Sequence, residues 1–366
     1  MTSRRQTRQV SLGPLLMGGG APVVIQSMTN THTHDADATI AQIRKLAAAG
    51  CQAVRVATPT KRDTAALPAI LAAAPIPVIA DVHYHFERAL EAIDAGVHKI
   101  RLNPGNINDR SQVERVIAAC RERKMPIRVG VNEGSIVERK DAAVRAQELA
   151  AIAQDPHDQL IRLMIDKLAD YVRIFEENDF EDLVLSVKSP DPRVVIDAHR
   201  TVSERFGYPV HLGVTHAGPP NTGRIRSVAA LATLLADGIG DTIRISYAAD
   251  PIHEVHDAKE LLCCLGLQPR EGPELIACPT CGRLEIDLVK LVADVQRRLA
   301  DVKAPVKVAI MGCVVNGPGE ADGADVALLA GKGRGVICVQ GRQVRTVTEA
   351  EMLDALYEEV QAFARR

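Results

Sequence analysis

Three cysteines of this 366-residue chain stand among glycines and prolines. Two lie in Ala277-Cys278-Pro279-Thr280-Cys281-Gly282, and the third opens the run Cys313 to Glu320, which reads CVVNGPGE. Turns of this kind gather thiolates and backbone N–H groups around an inorganic centre. The Cys-x-x-Cys knuckle alone suits zinc at least as well as an iron–sulfur cluster. A structural zinc site wants a fourth Cys or His, and none is suitably placed. An incomplete thiolate set fits a cluster with one reactive iron more naturally. Glu320 follows Cys313 by seven residues and is a candidate for the fourth position, although spacing does not make it a ligand. Cys51, Cys120, Cys263, Cys264 and Cys338 fall on helical or apolar strand segments and read as buried small hydrophobes.

A second set of side chains is spread over the first two thirds of the chain. Arg55, Asp81 with His83, Arg101 with Asn103, Arg128 with Asn132, Lys188, His216, and Arg244 with Ser246 each fall in or just after a short apolar run. Five of these residues are cations. Guanidinium forks and a lysine point charge favour phosphate or carboxylate. Surface pairing with a nearby acid explains one such cation more easily than five at one structural level. Asn103-Pro104-Gly105-Asn106 adds backbone donors suited to an oxyanion. His-x-His pairs at 32/34 and 83/85 suggest a metallohydrolase, but Lys188 and Arg244 stand where the late-strand ligands would be needed. His32, His34 and His85 therefore read as solvated loop residues.

These side chains need a frame, and the apolar runs supply one. Strands are expected at 23–27, 53–57, 77–83, 99–103, 126–132, 183–188, 209–215 and 242–246. Helical segments separate most of them, and a glycine follows several helix ends, where a left-handed cap is required. Eight alternating units in about 250 residues is the arithmetic of a TIM (β/α)8 barrel, whose active sites lie at the C-terminal strand ends. An open doubly wound sheet is the competing α/β architecture, but no Gly-rich dinucleotide fingerprint follows the first strand. The expected division is a barrel over 1–265, a linker over 266–274 and a small α+β domain over 275–366.

Composition agrees with this frame. Apolar residues make up 46% of the chain and aromatics 3%, with no Trp, so the core must be aliphatic. A formal net charge of −2 gives no general pull toward nucleic acid or an anionic membrane. With no signal-peptide pattern and no long apolar run, the chain reads as cytoplasmic.

The motifs QSMTNT (26–31), VRVATPT (54–60), IRLNPGN (100–106), IRVGVNEGS (127–135), LSVKSPD (185–191), GIGDTIRISYAADP (238–251), ACPTCGR (277–283) and GCVVNGPGE (312–320) run nearly end to end. In this order they resemble the bacterial 4-hydroxy-3-methylbut-2-enyl diphosphate synthases (IspG/GcpE). The resemblance implies a 4Fe–4S cluster on Cys278, Cys281, Cys313 and Glu320, in a head-to-tail homodimer. It implies reduction of 2-C-methyl-D-erythritol 2,4-cyclodiphosphate in the non-mevalonate isoprenoid pathway, with electrons from flavodoxin or ferredoxin. Arg55, Arg101, Arg128 and Lys188 would hold the diphosphate. Asn103, Asn132, Arg244 and Ser246 would support the same site, with Asp81 and His83 near the reacting carbons.

One position departs from the family. Its strand-seven motif is LGxTEAG, whose Glu is the expected proton donor, whereas this chain has His216 in LGVTHAG. An imidazolium can donate a proton near neutral pH, so the role can survive. Either His216 is a variant acid, or the chain is a paralogue that reduces a related diphosphate. A phosphometabolite-binding barrel with a structural zinc domain is the reading of another class.

Overall fold

Eight parallel strands form the main sheet of the computed structural model, which describes residues 3–82, 85–102, 109–136, 142–313 and 317–366. The chain divides into two compact units, Met1–Gln268 and Pro269–Arg366. The first opens with a small antiparallel hairpin, β1 (Val10–Leu12) and β2 (Leu15–Met17). Strand and helix then alternate through β3 (Val24–Met28), α1 (Ala36–Ala49), β4 (Ala53–Ala57), α2 (Lys61–Ala73), β5 (Val78–Val82), α3 (Phe86–Ala95), β6 (Lys99–Leu102) and α4 (Arg110–Glu122). They continue through β7 (Ile127–Asn132), α5 (Ala142–Gln154), α6 (Pro156–Glu176), β8 (Leu183–Lys188), α7 (Pro192–Arg205), β9 (His211–Leu212), α8 (Pro220–Ala236), β10 (Thr242–Ile243) and α9 (Pro251–Cys264).

The strand order β8-β7-β6-β5-β4-β3-β10-β9 runs round a barrel, and the Leu185–Val210 bridge spans the remaining seam. The glycines that follow helix ends act as expected at two positions. Gly50 and Gly96 end α1 and α3 at φ 107° and 90°, which a residue with a Cβ rarely adopts, and release the chain into β4 and β6. Strands seven and eight are shorter than expected, with two ladder residues each. Pro209 has no N–H to give, Gly213 packs no side chain, and the Asp241 carboxylate takes the Val210 N–H at 2.8 Å.

Alternation along the strands separates two environments. Ile25, Val54, Val56, Ile100, Ile127, Val129, Leu185 and Leu212 face the helices and form the large aliphatic core. Their alternate neighbours face the barrel axis. At the floor these are Val24, Ala53, Ile79 and Val184, which pack on Val10, Leu12 and Met17 of the hairpin. The hairpin therefore closes the N-terminal end of the barrel with apolar side chains.

The second unit has a five-stranded sheet of order β11-β12-β13-β14-β15. Its elements are β11 (Glu274–Ala277), α10 (Leu288–Arg298), β12 (Lys307–Met311), α11 (Gly317–Glu320), β13 (Val326–Gly331), β14 (Arg334–Val339), β15 (Arg342–Thr348) and α12 (Met352–Ala364). Helices α10 and α12 bury Leu288, Val295, Leu356 and Val360 in one cluster with Val308, Ile310, Val326 and Leu328.

Candidate functional site

Inside the barrel, above the apolar floor, the inward positions turn polar. Arg55 lies in the middle of β4, Asp81 near the end of β5, Arg101 on β6, Arg128 on β7 and Lys188 at the end of β8, all buried. Arg244 follows β10, and Ser246 Oγ donates to the Val214 carbonyl at 3.0 Å. Asn132 stands beside Lys188 in register. The structure thus brings Arg55, Asp81, Arg101, Arg128, Asn132, Lys188, Arg244 and Ser246 into one barrel. His83 and Asn103 lie outside the described residues.

The cations are not all at the lip, as a reading of strand ends suggests. Arg128 is the second residue of β7 and only 2% exposed, so the positive charge extends down the barrel axis. A further cation escaped that reading. Lys99 is the first residue of β6, faces the axis and is fully buried, with its Nζ on Met17 Sδ at 3.6 Å.

Two carboxylates sit among these charges. Asp81 bridges Arg55 (Nε to Oδ2, 3.3 Å) and Arg101 (Nη1 to Oδ1, 3.0 Å). Glu254, from α9, accepts the Tyr247 N–H at 3.0 Å and lies 3.7 Å from Arg244 Nη2. Six cations therefore share a low-dielectric interior with two acids. Burial is the largest influence on the protonation of Arg55, Lys99, Arg128, Lys188 and Glu254. It pushes Arg55 down to about 10 although Asp81 opposes it, and burial with neighbouring guanidinium groups pulls Lys188 and Arg128 well below their ordinary ranges. The Glu254 carboxyl is pushed up by burial, against the pull of Arg244. Gly213 leaves the room that Lys188 uses, since a Cβ there would sit 2.7 Å from Lys188 Nζ and 2.8 Å from the Arg244 carbonyl.

His216 stands in the loop after β9. It is exposed, adopts φ 51°, and its Nδ1 lies 3.3 Å from Thr215 Oγ1. His32, His34 and His85 are exposed, and His34 Nδ1 pairs with Asp63 Oδ1 at 3.1 Å, on the carboxylate that caps α2.

In the second unit, parallel pairing of Ala277 with Ile310 sets the ends of β11 and β12 side by side. Cys278 follows the first of these ends and Cys313 the second, and the Gly312 N–H donates to Cys278 Sγ at 3.2 Å. The Cys281 carbonyl accepts the Leu284 N–H, and the Glu285 N–H returns to the Gly312 carbonyl at 3.3 Å. Glu320 ends α11, and its neighbour Ala321 packs in one small cluster with Met311 and Cys278. All eight cysteines are free thiols. Among the described residues no three His, Cys, Asp or Glu side chains are gathered into one coordination shell. The donor set nevertheless fits an iron–sulfur centre. It offers free thiols on neighbouring strand ends, one already receiving a backbone N–H, with a carboxylate on the helix that follows. Of the other cysteines, Cys51 and Cys120 are buried as expected, but Cys264 is exposed because the last turn of α9 presents it to solvent.

Fold and site define a (β/α)8-barrel protein with an appended cysteine-bearing α+β domain. Residues 7–259 match the GcpE TIM-barrel domain and residues 274–362 the GcpE protein C-terminal domain. The chain belongs to the GcpE family. It is 46% identical over 361 residues to a protein of Symbiobacterium thermophilum, covering 99% of this chain and 94% of that one. It is 44% identical to a Geobacillus kaustophilus protein over 99% of this chain and 93% of the relative. A Bacillus licheniformis relative is 43% identical over 100% of this chain and 95% of its own length. All three carry the name 4-hydroxy-3-methylbut-2-en-1-yl diphosphate synthase (flavodoxin). No helix among the described residues is long and apolar enough to cross a membrane.

Proposed function

We propose that this chain is a 4-hydroxy-3-methylbut-2-en-1-yl diphosphate synthase. It opens the ring of 2-C-methyl-D-erythritol 2,4-cyclodiphosphate and removes water, using two electrons from flavodoxin or ferredoxin. The observation that carries this reading is the excess of buried cations over carboxylates inside the barrel. Such an excess is costly without a bound polyanion, and a cyclic diphosphate supplies one.

Arg55, Arg101, Arg128 and Lys188 grip the diphosphate, with Asn103, Asn132, Arg244 and Ser246 around it. Asp81 fixes the Arg55 and Arg101 heads by its two ion pairs and, with His83, borders the reacting carbons. His216 supplies the proton that lets the departing oxygen leave as water. Cys278, Cys281, Cys313 and Glu320 would hold a 4Fe–4S cluster, which when bound supplies the electrons. The working form is a head-to-tail homodimer in the cytoplasm.

The test is anaerobic assay of the reconstituted protein with the cyclodiphosphate and a chemical reductant, alongside iron, sulfide and zinc analysis. Turnover with matched iron and sulfide is the expected result. An intact cluster with no turnover points instead to a paralogue acting on a related diphosphate. Zinc without sulfide would overturn the redox assignment. His216→Glu should keep or raise turnover, and a fully active His216→Ala would remove His216 from the proton step.

A further inference from the structure

Beneath the level of Arg55, Asp81 and Lys188 the barrel holds a second polar layer. Gln26 on β3, Lys99 on β6, Arg128 on β7, Ser186 on β8 and His211 on β9 all occupy axis-facing positions, because Ile25, Ile100, Ile127, Leu185 and Leu212 pack outward. Register ties them together. Gly130 pairs with Ser186, the Leu185–Val210 bridge sets Ser186 beside His211, and Thr242 pairs with both His211 and Val24. Each of the five side chains is at most 2% exposed. Gln26 Nε2 and Oε1, Ser186 Oγ, His211 Nε2 and Arg128 Nε have no hydrogen-bond partner among the described residues. Among the described residues Lys99 Nζ has only the Met17 thioether, a weak acceptor.

A buried polar group without a partner is costly, and four such side chains, with Lys99 held only by a weak thioether acceptor, require an occupant around one axis. Its chemistry follows from what they offer. Lysine, arginine and the Gln amide are donors, and serine and histidine can donate. The Asp81 carboxylate is already shared between Arg55 and Arg101, and that of Asp241 is taken by the Val210 N–H. Register pairs Gln26 with Ala53, Lys99 with Ile79 and Arg128 with Val184, so these polar side chains stand directly against the apolar cluster of the hairpin end.

We propose that this lower compartment, lined by Gln26, Lys99, Arg128, Ser186 and His211, binds a small inorganic anion of halide size, separately from the diphosphate layer above it. Burial, then the nearby cations, push Lys99 and His211 well below their ordinary ranges, and a bound anion relieves that pressure. The site acts as a fixed negative charge under the substrate layer. It holds the Arg128 side chain in place while the other face of the guanidinium meets the diphosphate.

The test uses crystals of the full chain soaked in sodium bromide, with and without inorganic pyrophosphate. The expected result is an anomalous peak within hydrogen-bonding distance of Lys99 Nζ that persists when pyrophosphate occupies the upper layer. In solution, bromide or chloride should raise Tm relative to gluconate at equal ionic strength. Lys99→Met should abolish both effects, and if it fails to fold, Ser186→Ala should lower the bromide occupancy. Ordered water with no anomalous signal overturns the proposal. So does a peak confined to Arg55 and Lys188 that pyrophosphate displaces. The pyrophosphate arm reports on the upper site independently, so failure of one site does not imply failure of the other.

Discussion

Replacing Asp81 by Asn tests whether the barrel interior is held short of negative charge until an anion arrives. Asp81 is buried and bridges Arg55 at 3.3 Å and Arg101 at 3.0 Å. Removing one partner of a buried ion pair costs about 3–5 kcal/mol, because the remaining charge is left uncompensated. The ligand-free Asp81→Asn protein should therefore lose about 3 kcal/mol or more in urea unfolding followed by circular dichroism. Binding should move the other way. At an effective dielectric of about 20, unit charges roughly 6 Å apart interact by ~3 kcal/mol. If half of that is lost because the two guanidinium groups are less well held, about 1.4 kcal/mol remains, a tenfold tighter Kd for pyrophosphate. At one pyrophosphate concentration that saturates both proteins, the tenfold tighter Kd stabilises the variant by about 1.4 kcal/mol more than wild type, so ligand should recover about half of the stability lost. Turnover of the cyclodiphosphate should fall even as binding tightens, because the heads of Arg55 and Arg101 lose their fixed geometry. Pyrophosphate binding that weakens, or destabilisation of equal size with and without ligand, would refute the charge argument.

Gly213→Ala should fold with a cost of about 1–3 kcal/mol and bind pyrophosphate at least tenfold more weakly, since the new Cβ contests the space of Lys188 Nζ. Calorimetry in buffers of different ionisation enthalpy checks the protonation of Lys188. Because burial and its neighbours pull its pKa down, an incoming anion raises it and draws in a proton, so affinity weakens as pH rises and Lys188→Met lacks that proton uptake. His199 is fully buried, with Nδ1 on the Val195 carbonyl at 2.8 Å, and burial lowers it to about 4 from 6.5. With the folded value below the unfolded one, its contribution is complete above about pH 6.5 and lost as pH falls through about 4. That interval is worth about 3 kcal/mol, so His199→Gln should lose that much less stability than wild type between pH 7 and pH 4.

The barrel was legible because its signals are local. Apolar β-branched runs recur, and Gly50 and Gly96 mark helix ends with the φ values that sequence position alone suggested. The hairpin β1–β2 was not legible, since three-residue strands carry too little periodicity to separate them from a loop. Strand β11 was hidden for the same reason, four residues against the end of a segment that reads as a linker. The upper cations could be found by looking at strand ends. Lys99 could not, because it opens its strand. Parity would have revealed it, since Lys99 and Arg101 are two residues apart and share the axis-facing side of β6. The same parity links Ser186 to Lys188 on β8 and Arg128 to Asn132 on β7. The cysteine positions were legible as motifs, but which of their side chains converge depends on the β11–β12 pairing, which spacing does not encode.

The missed hairpin bears on the chemistry of the site above it. Buried cations attract an anion strongly only where water does not screen them. An interior open at both ends would admit water from below and weaken each contact to the diphosphate. Val10, Leu12 and Met17 close the lower end against Val24, Ala53, Ile79 and Val184, so water and substrate share one entrance, at the C-terminal strand ends. Lys99 resting on Met17 then lies on the dry side of that seal. The floor keeps the dielectric low around Arg128 and the layer above it. The destabilisation of six clustered cations is offset by the aliphatic core between strands and helices, which lies outside the barrel wall and is unaffected by what binds within. That separation lets the axis remain charged while the fold stays stable.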